Sequence, residues 1–367
     1  QAGFAGRCGG PSRKLLVDDR GGCRVTGASN ANLIRIEDLK VHFKTSRKDW
    51  FSPAQVVHAV DGISLAIKRG TTFGIVGESG SGKSTAALAL LRLVPITAGR
   101  IYLDNDLLSE ATGEELRQLR RKVQIIFQDP YSSLNPRDRA GAIVREPRDL
   151  MDVGAAGDRD ERVAELFAKV GLRPEQRALF PHQFSGGQRQ RISVARAIAS
   201  QPELVVCDEP VSALDVAIQA QIINMLRQLQ DEFGLTYLFI SHDLGVMQYI
   251  CDEIAVMYLG QIVEQADRIS LFKRPLHPYT WALIKAVPSA RSGGRKNRDR
   301  VHLEGDPPSP IDLPAGCRFA GRCPFADARC HVEAPVMRTF ADGHQAACHL
   351  IDESGVPPHE KLPSATA

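Results

Sequence analysis

The run Gly77-Glu78-Ser79-Gly80-Ser81-Gly82-Lys83-Ser84-Thr85 constrains the fold of this chain more than any other stretch. It follows a short apolar segment, Thr72 to Val76, that reads as a buried strand. It opens into Lys83 to Val94, apolar on all sides as a buried helix is. A strand, a turn spaced G-x-x-x-x-G-K-S and a helix, in that order, make a phosphate cradle. The glycines let successive backbone N–H groups turn inward, and the helix N-terminus adds the positive end of its dipole. Lys83 is then placed to reach the β- and γ-phosphates of a nucleotide, and Ser84 to ligate Mg²⁺.

Alternation from Leu33 to Phe43 predicts a strand, residues 44–57 a polar loop holding Trp50 and Phe51, and Ile63 to Ile67 a half-buried strand. Further apolar runs stand at Val123–Phe127, Leu204–Cys207 and Tyr237–Ile240, with helical patterns between them. Strands alternating with helices predict an α/β fold whose parallel sheet is covered on both faces. Residues 135–187 read as a helical lobe. Gly and mixed charge dominate residues 1–30, which predicts a disordered head. A boundary falls near residue 289, where a basic, Gly-containing linker (289–305) leads into a Cys-rich tail domain (306–350) and a disordered end (351–367). The formal net charge of +3 gives no reason to expect a nucleic-acid partner. No apolar run approaches the ~20 residues of a transmembrane helix. Residues 1–30 lack the apolar core of a secretory signal, so a cytosolic setting is expected.

The second chemical signal is Leu204-Val205-Val206-Cys207-Asp208-Glu209, an apolar strand delivering two carboxylates at its C-terminal end. Open α/β sheets place ligands at that edge. Asp208 is expected to hold Mg²⁺ through water, and Glu209 to polarise the attacking water as a general base.

The remaining motifs choose among phosphate-loop ATPases. Phe184-Ser185-Gly186-Gly187-Gln188-Arg189-Gln190-Arg191 resembles the signature motif of the ABC ATPases. Gln128 in Phe127-Gln128-Asp129-Pro130 matches that family's Q-loop, His242 in Ser241-His242-Asp243 its switch histidine, and Asp215 in Ser212-Ala213-Leu214-Asp215 its D-loop. The resemblance implies an ABC ATPase fold with a mainly parallel core sheet, an antiparallel N-terminal β-subdomain and a helical lobe. It also implies two nucleotide-binding domains sandwiching two ATP molecules. Each ATP would meet Lys83, Ser84, Gln128, Asp208, Glu209 and His242 of one domain, and Ser185 to Gln188 of its partner. Gln128 and His242 join Glu209 in catalysis, and Gln128 joins Ser84 and Asp208 at Mg²⁺. Phe43 is the position for adenine stacking, with Trp50 and Phe51 close in sequence and a core role for Phe43 as the alternative.

Pro275-Leu276-His277-Pro278-Tyr279-Thr280, Gly316-Cys317-Arg318-Phe319 and Arg322-Cys323-Pro324 look like segments of the oligopeptide and dipeptide permease ATPases. Phe127-Gln128-Asp129-Pro130, the Ser-Leu-Asn-Pro-Arg that follows (133–137) and the long loop before Val60 look more like the second ATPase of such operons than the first. That resemblance implies a peripheral subunit on the cytoplasmic face of the bacterial inner membrane. Its partners would be a second ATPase, two membrane permeases and, indirectly, an external solute-binding protein. Cys317, Cys323, Cys330 and Cys348 are similar to cysteines proposed in this family as [4Fe–4S] ligands; a Cys₄ zinc site and four reduced thiols are the alternatives. Cys207 and Cys251 read as inert. Related importers carry nickel or glutathione. Two other functions compete: a soluble ABC protein acting on nucleic acid or ribosomes, and an iron–sulfur sensor with a vestigial ATPase. A single phosphate loop and intact Lys83, Glu209 and His242 weigh against these two in turn.

Overall fold

Three segments of five or six residues are buried at every position: β3 (Thr72–Val76), β7 (Leu204–Asp208) and β8 (Thr236–Ser241). Strands apolar on both faces belong in the middle of a parallel sheet. In the computed structural model, which describes residues 32–45, 54–286 and 305–361, that is where they lie. With β6 (Val123–Ile126) and β9 (Glu253–Tyr258) they form five parallel strands in the order β9-β3-β8-β7-β6. The expected head (1–30), most of the linker, and Trp50 and Phe51 lie outside the described residues.

A second, antiparallel sheet stands beside the first in the order β2-β1-β4-β5, made of β1 (Asn32–Lys44), β2 (Val56–Lys68), β4 (Ala98–Leu103) and β5 (Asp106–Leu107). Its apolar face shares one buried cluster with the helix Lys83–Leu90 and with one face of the parallel sheet. β1 runs to Lys44 and β2 begins at Val56, so the two ends of the stretch read as loop are strand. The helix after the phosphate loop ends at Leu90 rather than Val94, because Arg92 adopts a left-handed backbone (φ 54°) that a helix cannot continue through. Helices Ala140–Leu150 and Arg159–Lys169 form the lobe, packed on the helix Gly186–Ile198.

The tail does not stand apart. β10 (Gln261–Asp267) pairs antiparallel with β9, and the tail strand β12 (Gln345–Ala346) pairs with β10, followed by β11 (Arg338–Thr339) at the edge. The sheet of the ATPase therefore runs on into the tail. Phe319 is 1% exposed and meets Tyr258, Tyr279 and His277 in a cluster of rings continuous with the main core. Glu264, fully buried on β10, accepts from Leu276 N (2.6 Å), His277 N (2.8 Å) and His344 Nε2 (2.7 Å), which ties the tail down. Residues 351–361, read from sequence as part of a disordered end, pack back. Ile351 is buried beside Leu276 and Cys348, and Glu360 pairs with Arg274. No helix among the described residues is long and apolar enough to cross a membrane.

Candidate nucleotide site

Adjacent parallel strands bring the chemistry together. β3, β8, β7 and β6 are neighbours in that order, and their C-terminal ends are level: Val76 pairs with Ser241, Ile240 with Asp208, and Cys207 with Ile126. The residues that follow these ends are the phosphate loop, His242, Glu209 and Gln128. Positions far apart in sequence meet because consecutive strands of a sheet end at one edge.

The loop turns at Gly80 (φ 78°) and Gly82 (φ 104°). A Cβ on Gly82 would lie 2.1 Å from the Ala59 carbonyl oxygen, and one on Gly77 2.1 Å from that of Met257, so side chains are excluded at both. A cavity of about 690 Å³ opens over the loop. Gly77, Glu78, Ser79, Gly80, Gly82, Lys83, Ser84 and Thr85 line it, together with Gln128, Glu209 and His242. Ser81 does not. It is buried, and its carbonyl accepts from Gly260 N, a bond that braces the loop.

Lys83 Nζ donates to the carbonyls of Gly77 (2.9 Å) and Glu78 (2.8 Å). Burial pulls its pKa below the usual lysine range, against the pull of Glu209, Asp208 and Glu78. Ser84 Oγ donates to Asp208 Oδ1 at 2.9 Å. Burial raises the Asp208 pKa and Glu209 adds to it, while the Ser84 bond and Lys83 oppose. Both oxygens of Glu209 are engaged: Oε2 accepts from Gln128 Nε2 at 2.9 Å, and Oε1 lies 3.0 Å from His242 Nδ1. Glu209 has a left-handed backbone (φ 46°), which costs a non-glycine residue roughly 1–3 kcal/mol. The Glu209 N–H bond to Ile240 O and the Ser212 Oγ bond to Glu209 O hold it there.

Phe43 and the segment Ser185 to Gln188 do not line this cavity. Phe43 packs on the core of the antiparallel sheet and does not line the cavity; its cross-strand partner Val57 does, with Ala59. Phe43 is half-buried and stands directly across from Val57, on the same face of the sheet. Ser185 to Gln188 are also absent from the cavity wall. Ser185 caps the helix Gly186–Ile198 in a reciprocal box with Gln188 (3.3 and 3.0 Å), presenting an exposed, ordered helix N-terminus. Asp215 stands exposed at the start of the helix Val216–Phe233.

Sequence reasoning missed the tail's part in this site. Arg322 forms a bidentate pair with Glu78 (2.9 and 3.2 Å), and Glu78 N–H donates to Tyr279 Oη at 2.9 Å. Leu283 and Pro310 complete the cavity wall. Tyr279 and Arg322 stand inside segments that mark the family resemblance, so the signal was present without the contact it encodes.

The four tail cysteines line one small cavity with His277, Phe319 and His349, and none is in a disulfide. Burial raises all four thiols, Cys348 to about 11 and Cys323 to about 12. No three of the sulfurs lie within 4.8 Å of one another, because the one metal-ligating trio that close among the described residues is His42, His58 and Asp61.

Fold and site together define a phosphate-loop ATPase of the ATP-binding cassette class. The family described as ABC transporter matches residues 60–212, and the oligopeptide/dipeptide transporter C-terminal region matches residues 263–330. The chain is 46% identical over 327 residues to the oligopeptide transport ATP-binding protein AppF of Bacillus subtilis, a match spanning 89% of this chain and 99% of that one. It is 47% identical over 325 residues to OppF, the oligopeptide transport ATP-binding protein of Salmonella typhimurium, spanning 87% and 96%. Among solved structures, the dimeric ATP-binding cassette MJ0796 in a post-hydrolysis state with ADP and Pi is similar, with 28% identity and a TM-score of 0.57 over 64% of this chain and 98% of that one. The chain belongs to the oligopeptide/dipeptide-transporter family of ABC ATP-binding proteins. Its nucleotide is ATP, used with Mg²⁺.

Proposed function

We propose that this chain is the subunit that hydrolyses ATP to power import of di- or oligopeptides, working peripherally on the cytoplasmic face of a bacterial inner membrane. The observation that carries the hydrolytic part is Glu209, held by Gln128 and His242 at the strand edge that also bears Lys83 and Ser84. The peptide part is supported by the names of the AppF and OppF relatives and by the matched tail.

In the reaction, Glu209 takes a proton from the water that attacks the γ-phosphorus, and the bond to the bridging oxygen of ADP breaks. Gln128 and His242 orient the carboxylate, so catalysis is mainly positioning and charge stabilisation. Ser84 would ligate Mg²⁺ and Asp208, bonded to Ser84 at 2.9 Å, would hold it through water, with Gln128 beside them. When bound, the ion neutralises charge on the phosphate oxygens. The exposed Ser185–Gln188 cap is suited to a γ-phosphate on a partner domain. Each site would then need two subunits: this one and a second ATPase, docked on two permeases fed by a solute-binding protein.

For the tail, the chemistry of the donors supports an iron–sulfur cluster held by Cys317, Cys323, Cys330 and Cys348. A zinc ion with thiolates at ~2.3 Å holds all four sulfurs within ~3.8 Å of one another, whereas no three of these thiols all lie within 4.8 Å. Iron and sulfide analysis after anaerobic purification tests this; zinc in their place refutes it.

The central test is Glu209→Gln. Turnover should fall at least ~100-fold while ATP-bound dimers accumulate. Near-normal hydrolysis would remove Glu209 from the role of base. Co-purification with a permease pair supports import, and co-purification with ribosomes would sink it.

A further inference from the structure

A second constellation lies on the antiparallel sheet. The pairing of β1 with β2 sets His42 directly opposite His58, and Asp61 follows three residues on. Side chains at such a cross-strand pair share one face. His42 Nε2 is 3.0 Å from Asp61 Oδ1 and 3.3 Å from His58 Nδ1, and His58 Nδ1 is 4.0 Å from the same carboxylate oxygen. The three side chains are only 19–29% exposed.

Protons satisfy this arrangement poorly. A neutral imidazole nitrogen either donates or accepts. If His42 Nε2 carries the hydrogen, Asp61 takes it and His58 Nδ1 is left with a share. If it does not, its lone pair faces a carboxylate oxygen. Two cationic rings would set N–H against N–H. A divalent ion at the centre would instead accept all three lone pairs. Nitrogen and oxygen ligands at ~2.0–2.2 Å in a near-tetrahedral shell lie ~3.3–3.6 Å apart, inside the observed range of 3.0 to 4.0 Å.

The surroundings suit such an ion. The other oxygen of Asp61 pairs with Arg318, which also donates to the Leu259 carbonyl, so Oδ1 is left as a fixed single donor. Burial acts against the Asp61 charge, but Arg318 and His42 outweigh it and hold the carboxyl below its usual range. The guanidinium also repels a cation, which limits the affinity. Two imidazoles and a carboxylate favour borderline ions over Mg²⁺ or Ca²⁺.

We propose that His42, His58 and Asp61 form a site for a borderline divalent cation of the zinc, cobalt or nickel type, separate from both the Mg²⁺ position and the tail cysteines. Its place gives it a consequence. His58 stands between Val57 and Ala59 of the nucleotide cavity wall, and its N–H donates to Pro310 O, a tail residue on the same wall. A bound ion would clamp β1 to β2 at this wall.

The test uses the full chain, reduced and free of nucleotide, titrated with Co²⁺. Binding at the tail thiols carries a near-ultraviolet sulfur charge-transfer band. The expected result is a further equivalent with visible d–d bands and no sulfur band, with affinity falling at least ~10-fold in His42→Gln and in His58→Gln. Electron paramagnetic resonance of the wild-type chain with Cu²⁺ adds a readout that needs no variant, and coupling to two nitrogens is expected. The proposal is overturned if all Co²⁺ binds with the sulfur band, if both variants bind as the wild type does, or if the copper spectrum lacks two-nitrogen coupling.

Discussion

Replacing Arg322 tests whether the tail is part of the ATP site. Its guanidinium bonds Glu78 at 2.9 and 3.2 Å, with side chains only 8% and 27% exposed. Exposed ion pairs are worth ~0.2–1 kcal/mol, whereas removing one partner of a buried pair costs ~3–5 kcal/mol. This pair lies between. Arg322 Nε is buried with no partner among the described residues, and Glu78 keeps some contact with solvent, so the lower part of that interval applies. Arg322→Met should destabilise the chain by ~2–3 kcal/mol, of which ~1.5–2 kcal/mol is coupling to Glu78. Function should follow. The Glu78 carbonyl accepts from Lys83 Nζ, and its N–H is fixed by Tyr279, so freeing the side chain loosens the cradle. At 1.4 kcal/mol per decade, ATP should bind ~10-fold more weakly. The assay is a double-mutant cycle of Arg322→Met and Glu78→Gln, read by calorimetric ATP binding and by denaturant unfolding. The reasoning predicts that the double variant is little worse than either single one. Additive losses, with coupling below ~0.5 kcal/mol, would falsify it.

Two further outcomes concern how the tail is held. Glu264→Ala removes an acceptor from Leu276 N, His277 N and His344 Nε2 in a fully buried place. It should cost ~3 kcal/mol or more and expose the tail to limited proteolysis; an unchanged melting temperature with a protected tail would contradict the anchor. His277 is buried completely. Burial, opposed by Glu264 and reinforced by His359, pushes it down to about 4 from 6.5, and its Nδ1 accepts from Tyr279 N. The unfolded chain therefore takes up this proton first as the pH falls. The contribution is full above pH ~6.5 and is lost on the way down to pH ~4, amounting to ~3 kcal/mol. His277→Asn should flatten the decline of unfolding free energy across that window, and parallel pH profiles for variant and wild type would count against the assignment.

The readability of this site in sequence depended on where each contact is encoded. The phosphate loop is local. Its glycines, Lys83 and Ser84 lie within nine residues, and strand, turn and helix are written side by side. Gln128, Glu209 and His242 are distant from it, but each follows an apolar run, and the rule that parallel strands deliver their ends to one edge supplies the rest. Phe43 is read from alternation as a strand residue, and its pairing with Val57, which lines the cavity, is set by β2 and not by any local pattern. The Arg322–Glu78 pair spans 244 positions and obeys no period, so no pattern could reveal it.

The tail also shows why a composition boundary is not always a structural one. Pro, Gly and basic residues before position 306 mark a change of character that reads as the start of a separate domain. Yet β12 continues the sheet through β10, Phe319 enters the main core, and Arg322 grips the phosphate loop next to Cys323. A small segment with four cysteines has little apolar surface of its own to bury, and the neighbouring ATPase core supplies what it lacks. The same economy places the cysteine cavity one residue from an ion pair on the ATP cradle. A change at those sulfurs that moved Cys323 would act on Arg322 directly, so the tail chemistry and ATP binding should be measured together in any variant of either.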